Sequence, residues 1–205
     1  SAGKWELGGD GLGAIEIDGV TISPPLRGIH NLRNAMLALA VARECGVSWD
    51  AAKRGIEKMP QPKMRTAWSQ IGQLTLINDA YNSNPGSSRA AIGMIAGADS
   101  KRQRVIVLGT MRELGPASAN LHDEIAELAL GSGADIVAGI GEFAAALEKV
   151  GAGRAEVVTA GDVEDLWPKL ENRLKPDSII LLKASRGVQL ERLVPHLTTW
   201  ANASC

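Results

Sequence analysis

The 205-residue sequence predicts an α/β protein whose main body is a doubly wound, mostly parallel sheet, preceded by a hairpin and two helices. Three observations predict it. Beyond the Met59-Pro60-Gln61-Pro62 break, short apolar runs alternate with amphipathic segments, the signature of repeated strand–helix units. Runs such as Val105-Ile106-Val107-Leu108 and Ile179-Ile180-Leu181-Leu182 lack polar alternation, as strands covered on both faces do. Ahead of the break the pattern differs, with one tight turn and two helical stretches.

Taken in order, Ala14-Ile15-Glu16-Ile17 and Val20-Thr21-Ile22 flank Asp18-Gly19, a dipeptide that tolerates the positive φ of a two-residue hairpin turn. From Ile29 to Cys45, Leu32, Ala35, Met36, Leu39, Ala40 and Ala42 recur at helical spacing, and Gly46 marks the stop. Ser48 then caps a shorter helix bearing Ala51, Ala52 and Ile56. The proline pair sets a domain boundary, giving units 1–60 and 61–205. In the second unit strands are expected near 65–71, 74–79, 104–109, 136–138, 156–159 and 178–182. Helices are expected near 87–95, 117–130, 142–150, 163–174 and 189–197.

With 45% hydrophobic residues the chain can bury a substantial core, and a net charge of -1 gives no field that would favour nucleic acid or an anionic membrane. Its two cysteines, Cys45 and Cys205, have neither a C-x-x-C partner nor a histidine at zinc spacing, which fits a reducing, cytoplasmic setting. The opening residues have no apolar signal region, and no stretch reaches the ~18 apolar residues of a membrane span. Balanced charge leans towards a monomer.

Ligands of doubly wound sheets bind beyond the C-terminal strand ends, so the residues just past each strand are the candidates for a site. Asp79-Ala80-Tyr81-Asn82-Ser83-Asn84-Pro85 offers a carboxylate, a phenol and two amides; an Asx-rich turn with a helix cap is the competing reading, and on composition the commoner one. Gly109-Thr110-Met111-Arg112-Glu113-Leu114-Gly115 follows a buried strand, with Ser118 and His122 beyond it. A lone helical histidine is more often a surface or capping residue than a catalyst, so His122 receives no proton-transfer role. Lys183-Ala184-Ser185-Arg186-Gly187 places two cations and a hydroxyl towards the crevice, where carboxylate or phosphate would suit them; a solvated basic turn competes evenly. Before the boundary, His30, Asn31 and Asn34 open the long helix. Asn31 and Asn34 share a helix face and could present amides to a purine edge, although on spacing alone N-capping by Asn31 is the stronger reading. No G-x-x-x-x-G-K-[ST] phosphate loop occurs.

Taken together, Gly28-Ile-His-Asn-Leu-Arg-Asn34, Arg65, Asp79-Ala-Tyr-Asn-Ser-Asn-Pro85, Leu108-Gly-Thr-Met-Arg-Glu-Leu-Gly115 with Ser118 and His122, and Lys183-Ala-Ser-Arg186 resemble the ordered motifs of the Mur ligase family. Their variants are most similar to the branch that adds D-alanyl-D-alanine to UDP-N-acetylmuramoyl-tripeptide. The resemblance implies that 1–60 is a remnant of a central ATPase domain and 61–205 a Rossmann-like C-terminal domain. It also implies an ADP-forming amide ligase that activates the precursor's terminal carboxylate as an acyl phosphate, using ATP and Mg2+, before the dipeptide amine attacks. His30, Asn31, Asn34, Arg65, Asp79 and Tyr81 would hold nucleotide; Asn82, Asn84, Lys183, Ser185 and Arg186 would hold substrate. Catalytic and metal-binding groups would lie upstream, leaving this chain alone silent. Where the family has Gly-Asp-Met, the chain has Gly109-Thr110-Met111. Related ligases of folylpolyglutamate or cyanophycin type, or a non-catalytic nucleotide-binding module, are the alternatives.

Overall fold

A computed structural model of the protein describes residues 4–8, 11–60, 63–151 and 155–203. The chain divides into two units, Ser1–Pro62 and Lys63–Cys205, and Gln61, Pro62 and Cys205 lie outside the described residues.

In the first unit, β1 (Lys4–Leu7), β2 (Gly13–Ile17) and β3 (Val20–Ile22) form an antiparallel sheet in that order. The β2–β3 turn places Asp18 at φ 47° and Gly19 at φ 80°, the two positive φ values that match the twist of a hairpin. Helices α1 (Ile29–Glu44) and α2 (Trp49–Glu57) follow. Ile15 and Ile22 from the sheet, Leu32, Ala35 and Leu39 from α1, and Ala52 from α2 make the small core. Ser48 caps α2 by accepting from the Ala51 N–H, and Gly46, at φ 79°, ends the α1 turn. Cys45, expected inside the helix, is its exposed C-cap residue. Strand β1 is exposed along its length, so no burial pattern announced it in the sequence.

The second unit is three layers. Its six-stranded sheet has the order β4-β5-β9-β6-β7-β8, formed by Ala67–Ile71, Leu74–Asp79, Ile179–Lys183, Arg104–Gly109, Ile136–Ile140 and Glu156–Ala160 respectively. Only the β4–β5 hairpin is antiparallel; the other pairings are parallel. Alternate residues of each central strand face opposite layers, and both layers are apolar. Ile77, Ile106, Leu108, Val137 and Leu181 pack beneath α3 (Pro85–Ala96), α4 (Ser118–Gly131) and α5 (Glu142–Val150). Leu76, Val105, Val107 and Leu182 pack beneath α6 (Val163–Leu170) and α7 (Leu193–Ala203). This two-sided burial is the reason the strands read as unbroken apolar runs.

Several boundaries differ from the sequence reading. Strand β4 begins at Ala67 rather than Arg65, because Met64 and Thr66 take positive φ values that a strand does not accommodate. The expected helix over 163–174 turns 3-10 at Glu171–Arg173, three residues after an internal Pro168 that lacks a helical donor. The expected helix over 189–197 is α-helical only from Leu193, where α7 begins; Gln189 is left-handed and separates the 3-10 turns Arg186–Val188 and Leu190–Arg192. Among the described residues, no helix is long and apolar enough to cross a membrane.

Candidate functional site

The C-terminal ends of β5, β9 and β6 lie side by side, and their pairing brings the Asp79, Lys183 and Gly109 segments together. Asp79 and Lys183 are direct register partners in adjacent parallel strands, so their side chains leave the same face. The Lys183 ammonium lies 2.7 Å from Asp79 Oδ2 and donates to the Asn82 carbonyl at 2.5 Å. Burial pushes this ammonium below the ordinary lysine range, while the Asp79 charge pulls it back up and Arg65 adds a small opposing push. The other carboxylate oxygen of Asp79 accepts from the Thr66 N–H at 2.8 Å.

Beyond β5, the Tyr81 ring is 41% exposed, and the Arg65 guanidinium stands 4.2 Å from its centroid. A cation over an aromatic face beside a carboxylate is suited to an aromatic, hydroxylated and phosphorylated ligand such as a nucleotide. The Tyr81 N–H donates to the Met64 carbonyl at 3.1 Å, which joins this turn to the segment carrying Arg65. Asn82 is exposed. Asn84 caps α3: its Oδ1 accepts from the Ser87 N–H at 2.9 Å, and the Ser87 hydroxyl answers the Asn84 N–H in a capping box. The helix-cap reading of this turn therefore describes Asn84 well, leaving its amide NH2 as the group available to a ligand.

The expectation that Lys183, Ser185 and Arg186 all face the crevice needs correction. Lys183 is 2% exposed and belongs to the last position of β9, where it is committed to Asp79 and Asn82. Ser185 is buried, and its hydroxyl accepts from the Arg112 N–H at 2.9 Å, holding the β6 loop against the β9 loop. Arg186 alone is exposed, with its Nη1 2.6 Å from Glu191 Oε1.

His122 is also corrected, since it is neither a surface nor a capping residue: it is fully buried. Its Nε2 accepts from the Met111 N–H at 2.9 Å and its Nδ1 lies 2.8 Å from the Ser118 carbonyl, which assigns the neutral tautomer protonated on Nδ1. Ser118 and Glu142 lie nearby, with Ser118 donating to Glu142 Oε2 at 2.6 Å. The three side chains look like a nucleophile–base–acid set, but Nε2 is occupied by a backbone N–H and cannot accept a proton from a hydroxyl. The group fixes the loop after β6. Thr110, standing where the family has an acid, accepts from the Glu142 N–H through its Oγ1 at 3.0 Å and so ties that loop to the start of α5.

In the first unit, His30 is half-buried and Asn34 exposed on α1. Asn31 does not cap the helix; Gly28 is the N-cap residue, and the Asn31 amide donates to the Arg27 carbonyl at 2.9 Å. Thr66 and Glu142 escaped the sequence reading. Thr66 had no signal, but Glu142 sits where a strand-end loop meets a helix start, a place that could have been searched. Among the described residues, no three His, Cys, Asp or Glu side chains cluster as a metal site.

Residues 64–186 match the family model described as Mur ligase, glutamate ligase domain. A UDP-N-acetylmuramoyl-tripeptide–D-alanyl-D-alanine ligase of Treponema pallidum is 35% identical over 94% of this chain and 45% of its own length. Its Escherichia coli counterpart is 31% identical over 91% of this chain and 40% of its own. A crystal structure of MurF from Acinetobacter baumannii superposes with a TM-score of 0.84 at 27% identity, covering 96% of this chain and 44% of that one. The chain thus spans less than half the length of the relatives it matches.

Proposed function

The chain belongs to the Mur ligase family, and from that premise we propose that it is the C-terminal part of an ATP-dependent, ADP-forming amide ligase that adds D-alanyl-D-alanine to UDP-N-acetylmuramoyl-tripeptide in cytoplasmic peptidoglycan precursor synthesis. Residues 1–60 correspond, in this reading, to the end of a central ATPase domain and 61–205 to the C-terminal domain. The observation that carries the reading is the Arg65–Tyr81 stack beside Asp79 at the mouth of the parallel sheet. Arg65 faces the phosphates, Tyr81 offers a ring face, and the remaining lone pairs of Asp79 accept from ribose. His30, Asn31 and Asn34 serve the adenine. Asn82, the amide of Asn84, and Arg186 lie on the acceptor side.

ATP would supply the phosphoryl group that activates the precursor's carboxylate. The residues of this chain bind and orient, which is most of what phosphoryl transfer asks of a protein, and they move no proton. The phosphate loop and the Mg2+ ligands belong, on this proposal, to the part of the relatives' length that this chain does not span. The sequence here contains no G-x-x-x-x-G-K-[ST] to serve instead.

Calorimetric titration of ATP and of D-alanyl-D-alanine into the full-length gene product and into this chain tests the reading. The full-length protein should bind both and form ADP only when tripeptide precursor and dipeptide are present, with much weaker binding to this chain. A full-length protein that ignores the dipeptide but accepts glutamate would move the assignment to a folylpolyglutamate-type ligase. One that binds neither ATP nor any amine would leave a non-catalytic module.

A further inference from the structure

Three observations converge on the short segment that carries Arg65. Met64 and Thr66 flank it at φ 56° and φ 52°, a left-handed conformation that is strained for any residue with a side chain and most of all for a β-branched threonine. Arg186 Nη1 lies 3.1 Å from Met64 Sδ, but the bonds that hold the backbone of this segment come from one turn. The Thr66 N–H donates to Asp79 Oδ1 at 2.8 Å, and the Tyr81 N–H donates to the Met64 carbonyl at 3.1 Å. They continue the antiparallel β4–β5 register, in which Ala67 faces Asn78, beyond the last regular residue of β4. Finally, the turn itself is held from beneath. The Lys183 ammonium, 2% exposed, binds the second oxygen of Asp79 at 2.7 Å and the Asn82 carbonyl at 2.5 Å.

We propose that Lys183 is a positioning residue: acting through Asp79, it holds the strained 64–66 segment so that Arg65 and Tyr81 present one preformed surface, and it touches neither nucleotide nor dipeptide. That the surface receives a nucleotide rests on the function proposed above; the clamp itself does not. The logic is that of a spring and a catch. A segment in the left-handed region relaxes unless several bonds over-determine it, and here the two bonds made by its backbone, with the Thr66 hydroxyl beside them, run to the turn that the buried ammonium fixes. Losing the ammonium leaves Asp79 as a largely buried, uncompensated charge that must turn towards water, taking its bond to Thr66 with it.

Tyr81 is the only tyrosine in the sequence, so 3-fluorotyrosine gives a single 19F resonance that reports on the Arg65 stack. The R65A variant supplies the unstacked position of that signal. K183M, confirmed as folded by circular dichroism, should move the resonance most of the way to the R65A position, with no ligand present. In the full-length enzyme the same variant should raise KM for ATP at least tenfold while KM for the dipeptide changes less than twofold. A purely structural lysine would leave the resonance in place, and a lysine that binds substrate would raise the dipeptide KM; either result overturns the proposal. If R65A itself fails to shift the signal, the stack is not the element being held and the proposal falls as well. Should K183M fail to fold, the paired variant D79N/K183M, which buries no uncompensated charge, is read by the same criteria. A shifted resonance in an enzyme that binds no ATP would leave the clamp standing and defeat the functional reading alone.

Discussion

Replacing His122 with phenylalanine removes two hydrogen bonds from the second unit and puts a slightly larger aromatic ring in its place. The imidazole is fully buried and meets the Phe143 ring edge-on with centroids 4.6 Å apart, a contact that another aromatic ring preserves. What disappears is the acceptor for the Met111 N–H at 2.9 Å and the donor to the Ser118 carbonyl at 2.8 Å. The Met111 residue is 1% exposed, so its N–H has no route to water and leaving it unpaired costs about 1–3 kcal/mol. The Ser118 carbonyl lies in the first turn of α4 and keeps its helical partner, so its loss adds little. The expected destabilisation is therefore about 2 kcal/mol for H122F, rising to about 4 kcal/mol for H122A, where a cavity is added to the lost bonds. Urea unfolding followed by tryptophan fluorescence measures the difference, and amide exchange at Met111 localises it. Because the chain has two units, the transition of the second unit must be resolved before a midpoint is assigned. An H122F variant within about 0.5 kcal/mol of the parent, below the usual cost of an unmade buried bond, would refute the role given to Nε2.

Three further predictions follow from single contacts. N84A removes the acceptor that caps α3 and should cost about 1 kcal/mol of second-unit stability in the same denaturation assay, with no change in the slope against urea. G109A should cost about 1–3 kcal/mol, because a Cβ there would stand 2.8 Å from Val188 Cγ1 and 2.9 Å from the buried Ala184 Cβ, and the β6 and β9 ends would have to part. The third concerns pH. Since Lys183 is held below its ordinary value of 10.5, the unfolded chain binds a proton that the folded chain has shed, so stability contributed by this group rises with pH from the lowered folded value up to 10.5. Urea midpoints collected across that alkaline window should rise more steeply for the parent than for K183M, and equal slopes would show that Lys183 is not depressed.

Most of the framework was written in hydrophobicity. The runs at Val105–Leu108 and Ile179–Leu182 read as strands buried on both faces, and with the strand–helix alternation around them they point to the three-layer arrangement of the second unit. The hairpin turn at Asp18-Gly19 was equally plain, because few dipeptides accept two positive φ values. Strand β1 was not, since every residue of it is exposed and its only commitment is backbone pairing to β2. For the strand-end candidates of the second unit the position was legible but the direction of the side chain was not, and the two main errors have separate causes. Taking β9 to end at Leu182 puts Lys183 into the loop and points it at ligand, whereas one more ladder position, opposite Asp79, keeps it in the sheet and buries it. A shift of one residue reverses the face of a strand. His122 was misjudged as isolated, yet it stands at the head of the buried series Ile125, Ala126, Ala129 and Leu130, spaced three, four, seven and eight residues before them.

The left-handed Met64 and Thr66 are a different kind of omission, because neither residue type announces a positive φ. Local preference argues against both conformations, so they persist only because distant groups, Asp79 and Tyr81, impose them. Such a position cannot be read from its own neighbours in sequence. Where preference and structure disagree this sharply on either side of a single exposed arginine, the disagreement itself marks Arg65 as the residue the fold is arranged to aim. The buried Lys183–Asp79 pair points the same way. An apolar pair could serve a sheet's stability as well as a buried ion pair does, so its use at this strand end is better explained by what the carboxylate holds than by the energy of the pair.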